Sequence, residues 1–387
     1  MTKKTRAVAA DHIFDGTAVR RKAAVLIDGE EIAGVVPLTE LPRGAPVQAL
    51  PPGAWLAPGF IDLQVNGGGD VLFNDSPTPE AIATIARAHR KFGTTGLLPT
   101  FITDAPDKMR AAIDAVQTSL EREPSVLGIH LEGPFISPER PGVHASQFIR
   151  QAEHRDIAML TAPRKGVTLV TLAPEHMFKG FIAQLVASGV RVSLGHSLAT
   201  YDQTRAAMAE GLTGFTHLFN AMPPLLSRQP GPVAAALESS ESFYGLIVDG
   251  EHVDPAALRV ALRGAGRPML VSDAMPPVGG SRPAFQLYGE EITVAGGRCT
   301  RKDGTLAGAF LTMAKAVHNC VRLLGLRLEE ALRLASTNPA DFIGLGDRLG
   351  QLAPGFRADM VAFHPDKIEV IETWVAGATQ KLARQES

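Results

Sequence analysis

Three features of this 387-residue chain predict an α/β protein with a parallel barrel at its centre. Eight apolar runs of strand length follow one another from Gly59 onward, and most are separated by stretches in which apolar residues return every three or four positions. The breakers, 38 Gly and 28 Pro, fall between these runs instead of clustering, which is the punctuation of many short loops. Strands alternating with helices imply a parallel sheet, and eight such units in about 215 residues fit a (β/α)8 barrel better than an open sheet.

In order, residues 1–57 read as a small all-β unit, with short strands at Thr5–Ala9, Ala23–Asp28, Glu31–Val36 and Val47–Leu50 broken by Asp28-Gly29 and proline turns. The barrel strands are expected at Phe60–Val65, Gly96–Thr100, Val126–Leu131, Thr168–Leu172, Val190–Leu194, Thr213–Thr216, Tyr244–Val248 and Met269–Ser272. Helical periodicity marks Pro79–Phe92, Asp107–Leu120, Phe178–Ser188, Ser197–Gly211 and Asp254–Leu262. A hairpin-like insertion, about 283–301, follows the last strand (Phe285–Leu287, Glu291–Val294, Arg298–Thr300), then helical patterns at Ala309–Leu324 and Leu328–Ala335. Strands return at Met360–Phe363 and Lys367–Val375. The expected division is therefore 1–57 with 355–387 as one small β domain built from both termini, and 58–354 as the barrel.

Composition narrows the function. Apolar residues make up 45%, charged residues 20%, and 38 Lys+Arg against 40 Asp+Glu leave a formal charge of −2 with no long run of one sign. A nucleic-acid binder would carry a basic footprint, so none is expected as a partner. Lys3, Lys4 and Arg6 are interrupted by Asp11, His12 and Asp15 before any apolar segment forms, which does not read as a signal peptide. No apolar run approaches a membrane span, so no membrane partner is expected. Two cysteines, Cys299 and Cys320, are too few for a disulfide framework and lack metal spacing, which fits reduced, structural thiols in the cytoplasm.

In a βα barrel, side chains at the carboxyl ends of the strands share one mouth. There the sequence places His130-Leu131-Glu132-Gly133-Pro134, Gly195-His196-Ser197, Thr216-His217-Leu218-Phe219-Asn220, Asp249-Gly250-Glu251-His252 and Ser272-Asp273-Ala274. Singly, a histidine after a strand is more often a loop or core residue, Asp273 could be a helix N-cap and Glu132 a solvated turn residue. Together, Glu132, His196 and His217 supply one carboxylate and two imidazoles with a fourth place for water, the donor set of a catalytic zinc site. Asp273 is placed to take the water's proton. His130 reads as a core or supporting residue, and His89, His154, His176, His318 and His364 fall on helices or outer loops.

The stretches Pro58-Gly59-Phe60-Ile61-Asp62-Leu63-Gln64-Val65-Asn66-Gly67, His130-Leu131-Glu132-Gly133-Pro134-Phe135, Gly195-His196-Ser197, His217-Leu218-Phe219-Asn220-Ala221-Met222-Pro223 and Val271-Ser272-Asp273 resemble the N-acetylglucosamine-6-phosphate deacetylases of the amidohydrolase superfamily. The likeness runs nearly end to end. It implies a distorted TIM-type barrel beside a small β-sandwich from both termini. It also implies hydrolysis of the acetamide of N-acetyl-D-glucosamine 6-phosphate to D-glucosamine 6-phosphate and acetate, with water as nucleophile and Asp273 as general base, then acid. Carried over by position, Glu132, His196 and His217 hold one divalent ion, Zn2+ first, with Fe2+, Co2+ or Mn2+ as alternatives. His144 lies by the acetamide beside Val143, and His252, with Asp249, contacts the sugar. Asn220 and Ala221 hold phosphate together with Arg228, which reaches the neighbouring active site of a homodimer. Leu306, Ala307 and Gly308 match another substrate-contacting segment.

Many superfamily members open the barrel with a His-x-His pair for a second metal. Here Asp62-Leu63-Gln64 stands instead, with Gln64 at the position of a lost ligand, so a single-metal site is expected. Ala145 and Ala307 depart from the family's common Asn and Ser, and both bear on which sugar is preferred. The neighbouring expectations are N-acetylgalactosamine 6-phosphate as substrate, or a cyclic-amide amidohydrolase. The latter would usually want a bridging lysine after strand four, where Ala173-Pro174-Glu175 stands. A metal-free binding protein on a barrel scaffold is the reading from another class.

Overall fold

The computed structural model describes residues 5–162 and 164–379. Residues 1–4 and 380–387, the ends of the expected terminal domain and part of the leader reading, lie outside the described residues.

Eight strands form one parallel sheet in chain order: β1 (Phe60–Val65), β2 (Thr94–Ile102), β3 (Gly128–Glu132), β4 (Val167–Leu172), β5 (Arg191–Leu194), β6 (Gly214–Phe215), β7 (Phe243–Leu246) and β8 (Arg267–Leu270). All eight expected runs are strands. A parallel sheet is covered on both faces, and every residue of β1, β2 and β3 is buried. The sheet closes by one parallel bridge beyond the strand ends, Val65 to Ala274, where the Asn66 and Gly67 amides both donate to the Ala274 carbonyl (3.0 and 2.9 Å). That single bridge is the distortion of the barrel. The expected helices appear at Pro79–Arg90, Pro106–Ser119, Phe181–Ala187, Tyr201–Ala209 and Pro255–Ala261. Short helices at His154–Leu160, Gly231–Glu238 and Thr337–Phe342 have no counterpart in the sequence reading.

The insertion after β8 is a four-stranded antiparallel sheet, Ala284–Leu287, Glu290–Ala295, Arg298–Thr300 and Leu306–Ala309. Its fourth strand corrects the expectation that a helical pattern begins at Ala309: the helix begins at Met313, after Thr312 accepts from the Lys315 amide as N-cap. Leu287, Ile292, Cys299 and Ala307 pack with Leu72, Ile102 and Met275 into a buried cluster.

The strands of both termini form a second sheet of eight strands, branched at Arg6–Phe14, in which Met360–His364 pairs antiparallel with Trp55–Pro58. Its core holds Ile13, Val25, Ile27, Leu56, Met360 and Trp374. The chain divides into two compact units. One comprises the described parts of Met1–Asp62, His89–Gly96 and Thr312–Ser387, and the other Leu63–Ala88 and Leu97–Leu311. The helices Met313–Leu324, Leu328–Ala335 and Thr337–Phe342 thus group with the terminal sheet, where the sequence reading had placed them in 58–354. Both cysteines are free and buried, which pushes each thiol up to about 12. No helix among the described residues is long and apolar enough to cross a membrane.

Candidate active site

The carboxyl ends of the barrel strands line a cavity of about 260 Å3. Glu132 ends β3, while His196, His217 and Asp273 follow β5, β6 and β8 by two to three residues. Each of the last three adopts a left-handed backbone (φ 49°, 31° and 49°), so the chain turns as it leaves the strand and delivers the side chain into the mouth. Non-glycine residues enter this region at a cost of about 1–3 kcal/mol each and do so most often at functional sites.

Glu132, His196 and His217 are the one group among the described residues whose ligand atoms converge as for a metal, all within 4.8 Å of one another. Glu132 Oε1 lies 3.1 Å from His217 Nε2 and 3.2 Å from His196 Nε2, and the two Nε2 atoms are 3.1 Å apart. His196 Nδ1 stands 2.8 Å from the Arg140 carbonyl, which can only accept, so the proton belongs on Nδ1 and the lone pair of Nε2 faces Glu132. A carboxylate oxygen and a ring lone pair in van der Waals range repel unless a proton or a cation joins them. The donor set therefore fits a divalent ion of the zinc type. Burial alone would push the Glu132 carboxyl up, but its contacts with the His196 and His217 imidazoles outweigh it and hold the group well below the ordinary range. Burial lowers His217, yet its bond and attraction to Glu132 prevail and raise it.

Asp273 is raised above an ordinary carboxyl, first by burial and then by the Glu132 charge. Its Oδ1 accepts from Asn66 Nδ2 (2.7 Å) and from Gln64 Nε2 (3.2 Å), and the Gln64 amide also reaches both Glu132 oxygens (3.4 and 3.2 Å). Asn66, not among the site residues expected from the sequence, thus joins Gln64 against the two carboxylates. Side chains two apart on a strand share a face, so a third polar residue could have been read from Gln64-Val65-Asn66.

The cavity also gathers Val143, His144, Asn220, Ala221, His252, Leu306 and Gly308. Burial first, then the neighbouring His196, holds the His144 imidazole well below its ordinary range, hence neutral. Thr103 binds its Nδ1, a contact with no sequence signal. Asn220 directs Nδ2 at the His217 carbonyl (3.1 Å) and, at longer range, at the Leu218 carbonyl (3.5 Å). Asp249 does not line the cavity but stands behind it, its Oδ2 2.6 Å from His252 Nδ1 and its Oδ1 accepting the His252 and Glu251 amides. Burial opposes ionisation of Asp249, and the His252 bond outweighs it, keeping the carboxyl below its ordinary value. Ala307 is fully buried in the inserted sheet, between two residues that do line the cavity. Gly308 has φ 61°, and a Cβ there would come 2.5 Å from Met275 Cγ, so only glycine fits this approach to the mouth.

Arg228 is not brought to this cavity. It is exposed in the loop after β6, beside the exposed Leu225 and Leu226. His130 is core: its Nε2 lies 2.8 Å from Thr171 Oγ1, its Nδ1 3.2 Å from Thr100 Oγ1, and burial lowers it to about 4.

Comparison with known proteins adds three findings. The model of the amidohydrolase family matches residues 55–382. N-acetylgalactosamine-6-phosphate deacetylase of Shewanella sp. (strain ANA-3) is 41% identical over 85% of this chain and 84% of its own, and N-acetylglucosamine-6-phosphate deacetylase of Haemophilus influenzae is 36% identical over 94% and 96%. The crystal structure of N-acetylglucosamine-6-phosphate deacetylase from Pasteurella multocida superposes with a TM-score of 0.94 at 35% identity, covering 98% of this chain and all of that one.

Proposed function

The chain belongs to the amidohydrolase family, and from that premise we propose that it is a metal-dependent deacetylase of an amino-sugar phosphate, cleaving N-acetyl-D-glucosamine 6-phosphate to the free amine and acetate. The observation that carries the reading is the convergence of Glu132, His196 and His217 beside Asp273 in one cavity.

A divalent ion held by Glu132, His196 and His217 would lower the pKa of water and polarise the acetyl carbonyl. The remaining work falls to the chain's own groups. Asp273 accepts a proton from the attacking water and returns it to the amide nitrogen as the C–N bond breaks, so acetate and an amine leave in balance. Gln64 and Asn66 aim that carboxylate through their amide hydrogens. His144, neutral and lining the cavity, donates to the carbonyl oxygen as charge develops there. His252, with Nδ1 bound to Asp249, presents Nε2 to a sugar hydroxyl. Asn220, the Ala221 backbone and Arg228 bind the phosphate, Arg228 acting in the cavity of a second subunit, which agrees with its exposure here.

N-acetyl-D-galactosamine 6-phosphate is the second reading, favoured by the 41% identity to a deacetylase of that name. Acetate release measured with both phosphates and with the unphosphorylated sugars tests the proposal. We expect turnover of at least one phosphate and little of the free sugars; no acetate from either phosphate would contradict it.

A further inference from the structure

We infer that Thr103, at the carboxyl end of β2, is a positioning residue that fixes which nitrogen of His144 carries the proton. The inference rests on the reading of His144 as the donor to the substrate carbonyl. The Thr103 backbone amide donates to His144 Nδ1 at 3.2 Å, and the Thr103 hydroxyl lies 2.8 Å from the same nitrogen. A backbone N–H can only donate, so Nδ1 must be the bare nitrogen of the neutral ring. The proton is thereby assigned to Nε2, the other ring nitrogen of a side chain that lines the cavity. Were the tautomer reversed, the ring would offer the substrate carbonyl a lone pair and lose its use as a donor.

The hold extends behind Thr103. Asn74 clamps the preceding residue by both of its peptide groups, Nδ2 donating to the Ile102 carbonyl (2.8 Å) and the Ile102 amide donating to Oδ1 (3.1 Å). Tyr288, from the inserted sheet, donates its hydroxyl to the Thr103 carbonyl at 2.7 Å. Both peptide groups flanking the residue that grips His144 are therefore fixed by side chains from outside β2, one of them from the sheet that also supplies Leu306 and Gly308 to the cavity.

The test is a long-range 1H–15N spectrum of the zinc-loaded full chain labelled in its 11 histidines, with the His144 signals identified by their loss in His144→Gln. The expected result near pH 7 is an unprotonated Nδ1 and a protonated Nε2; the reverse, or an even mixture, would overturn the assignment. In Thr103→Val, which keeps the backbone amide but removes the hydroxyl's share of the hold on Nδ1, the Nδ1-protonated form should gain population, and kcat should fall about tenfold with KM nearly unchanged. That is less than the roughly 10²–10³ expected for losing the donor itself in His144→Gln. Thr103→Ser, which restores the hydroxyl, should recover most of the rate. A Thr103→Val protein with wild-type spectrum and kcat overturns the role of the Thr103 hydroxyl, since the backbone amide that donates to Nδ1 is retained in the variant. An unchanged kcat in His144→Gln instead overturns the carbonyl-donor reading, so the two failures are distinguishable.

Discussion

The barrel mouth and the terminal sheet bury charge on opposite terms. In the terminal sheet, the fully buried Asp359 is answered within the protein: Arg357 pairs with both of its oxygens, one at 3.0 Å, and the Ala376 amide donates at 2.8 Å. Around it the core is apolar, with Trp374, Phe363 and Ile13 fully buried. In the mouth, Glu132 and Asp273 lie close enough for one charge to raise the other, and His196, His217 and Asp273 take left-handed backbones. The difference teaches where each region's interactions are directed. One set is answered by groups of the fold itself, although burial still raises Asp359 above an ordinary carboxyl, while on the proposed function the other is completed by a cation and a substrate.

The largest expected effect is on the catalytic side. Asp273→Asn keeps the shape and the amide contacts but cannot shuttle a proton, so kcat should fall by about 10²–10⁴ while the metal content and the melting temperature stay near wild type. Retention of more than a tenth of the activity would point to another base, and loss of the ion would make Asp273 a ligand. The converse variant lies in the terminal sheet. Trp374→Ala should cost about 3–5 kcal/mol in denaturant unfolding, and the protein that remains folded should keep its kcat. Trp374→Phe should cost less, since Nε1 has no hydrogen-bond partner among the described residues.

Arg228→Ala tests a charge that the mouth of its own chain does not use. Its loss should raise KM for the 6-phosphate substrate, with an energetic cost of about 2–5 kcal/mol, and leave the unphosphorylated sugar nearly indifferent. Equal losses in kcat/KM for both would refute phosphate recognition. If the loop serves a second subunit, mixing Asp273→Asn chains with Arg228→Ala chains should restore activity in hybrids. The smallest effect concerns a barrel-side pair completed within the protein. Arg150 meets both oxygens of Asp156 (2.7 and 2.6 Å); burial opposes ionisation there, but the Arg150 bonds prevail and depress the carboxyl below its unfolded value of 3.8. A depressed acid stabilises the fold above the unfolded value and loses that contribution as pH falls through the folded one. Asp156→Asn should therefore cost about 1.5–3 kcal/mol at pH 7 and progressively less as the pH falls below 3.8 in urea melts.

The same contrast explains what was legible in the sequence. Parallel strands buried on both faces leave apolar runs, so all eight barrel strands could be placed, and with them Glu132, His196, His217 and Asp273 at their ends. Asn66 stands one alternation beyond Gln64 but outside the apolar run, since β1 itself ends at Val65, so the run alone does not mark it. Leu306–Ala309 carries no strand signal, since Leu-Ala-Gly-Ala has no alternation, and only its pairing with Arg298–Thr300 makes it a strand. Thr103 and Tyr288 carry no local signal at all, since their contacts join residues 41 and 185 positions apart.

The account turns on one ion at Glu132, His196 and His217. Its most direct test is to strip the protein with a chelator and titrate Zn2+ back while following acetate release from N-acetyl-D-glucosamine 6-phosphate. Activity should vanish on stripping and return in proportion to metal, reaching its plateau at one equivalent per chain. Full activity in the stripped protein, or a plateau reached only at two equivalents, would contradict it.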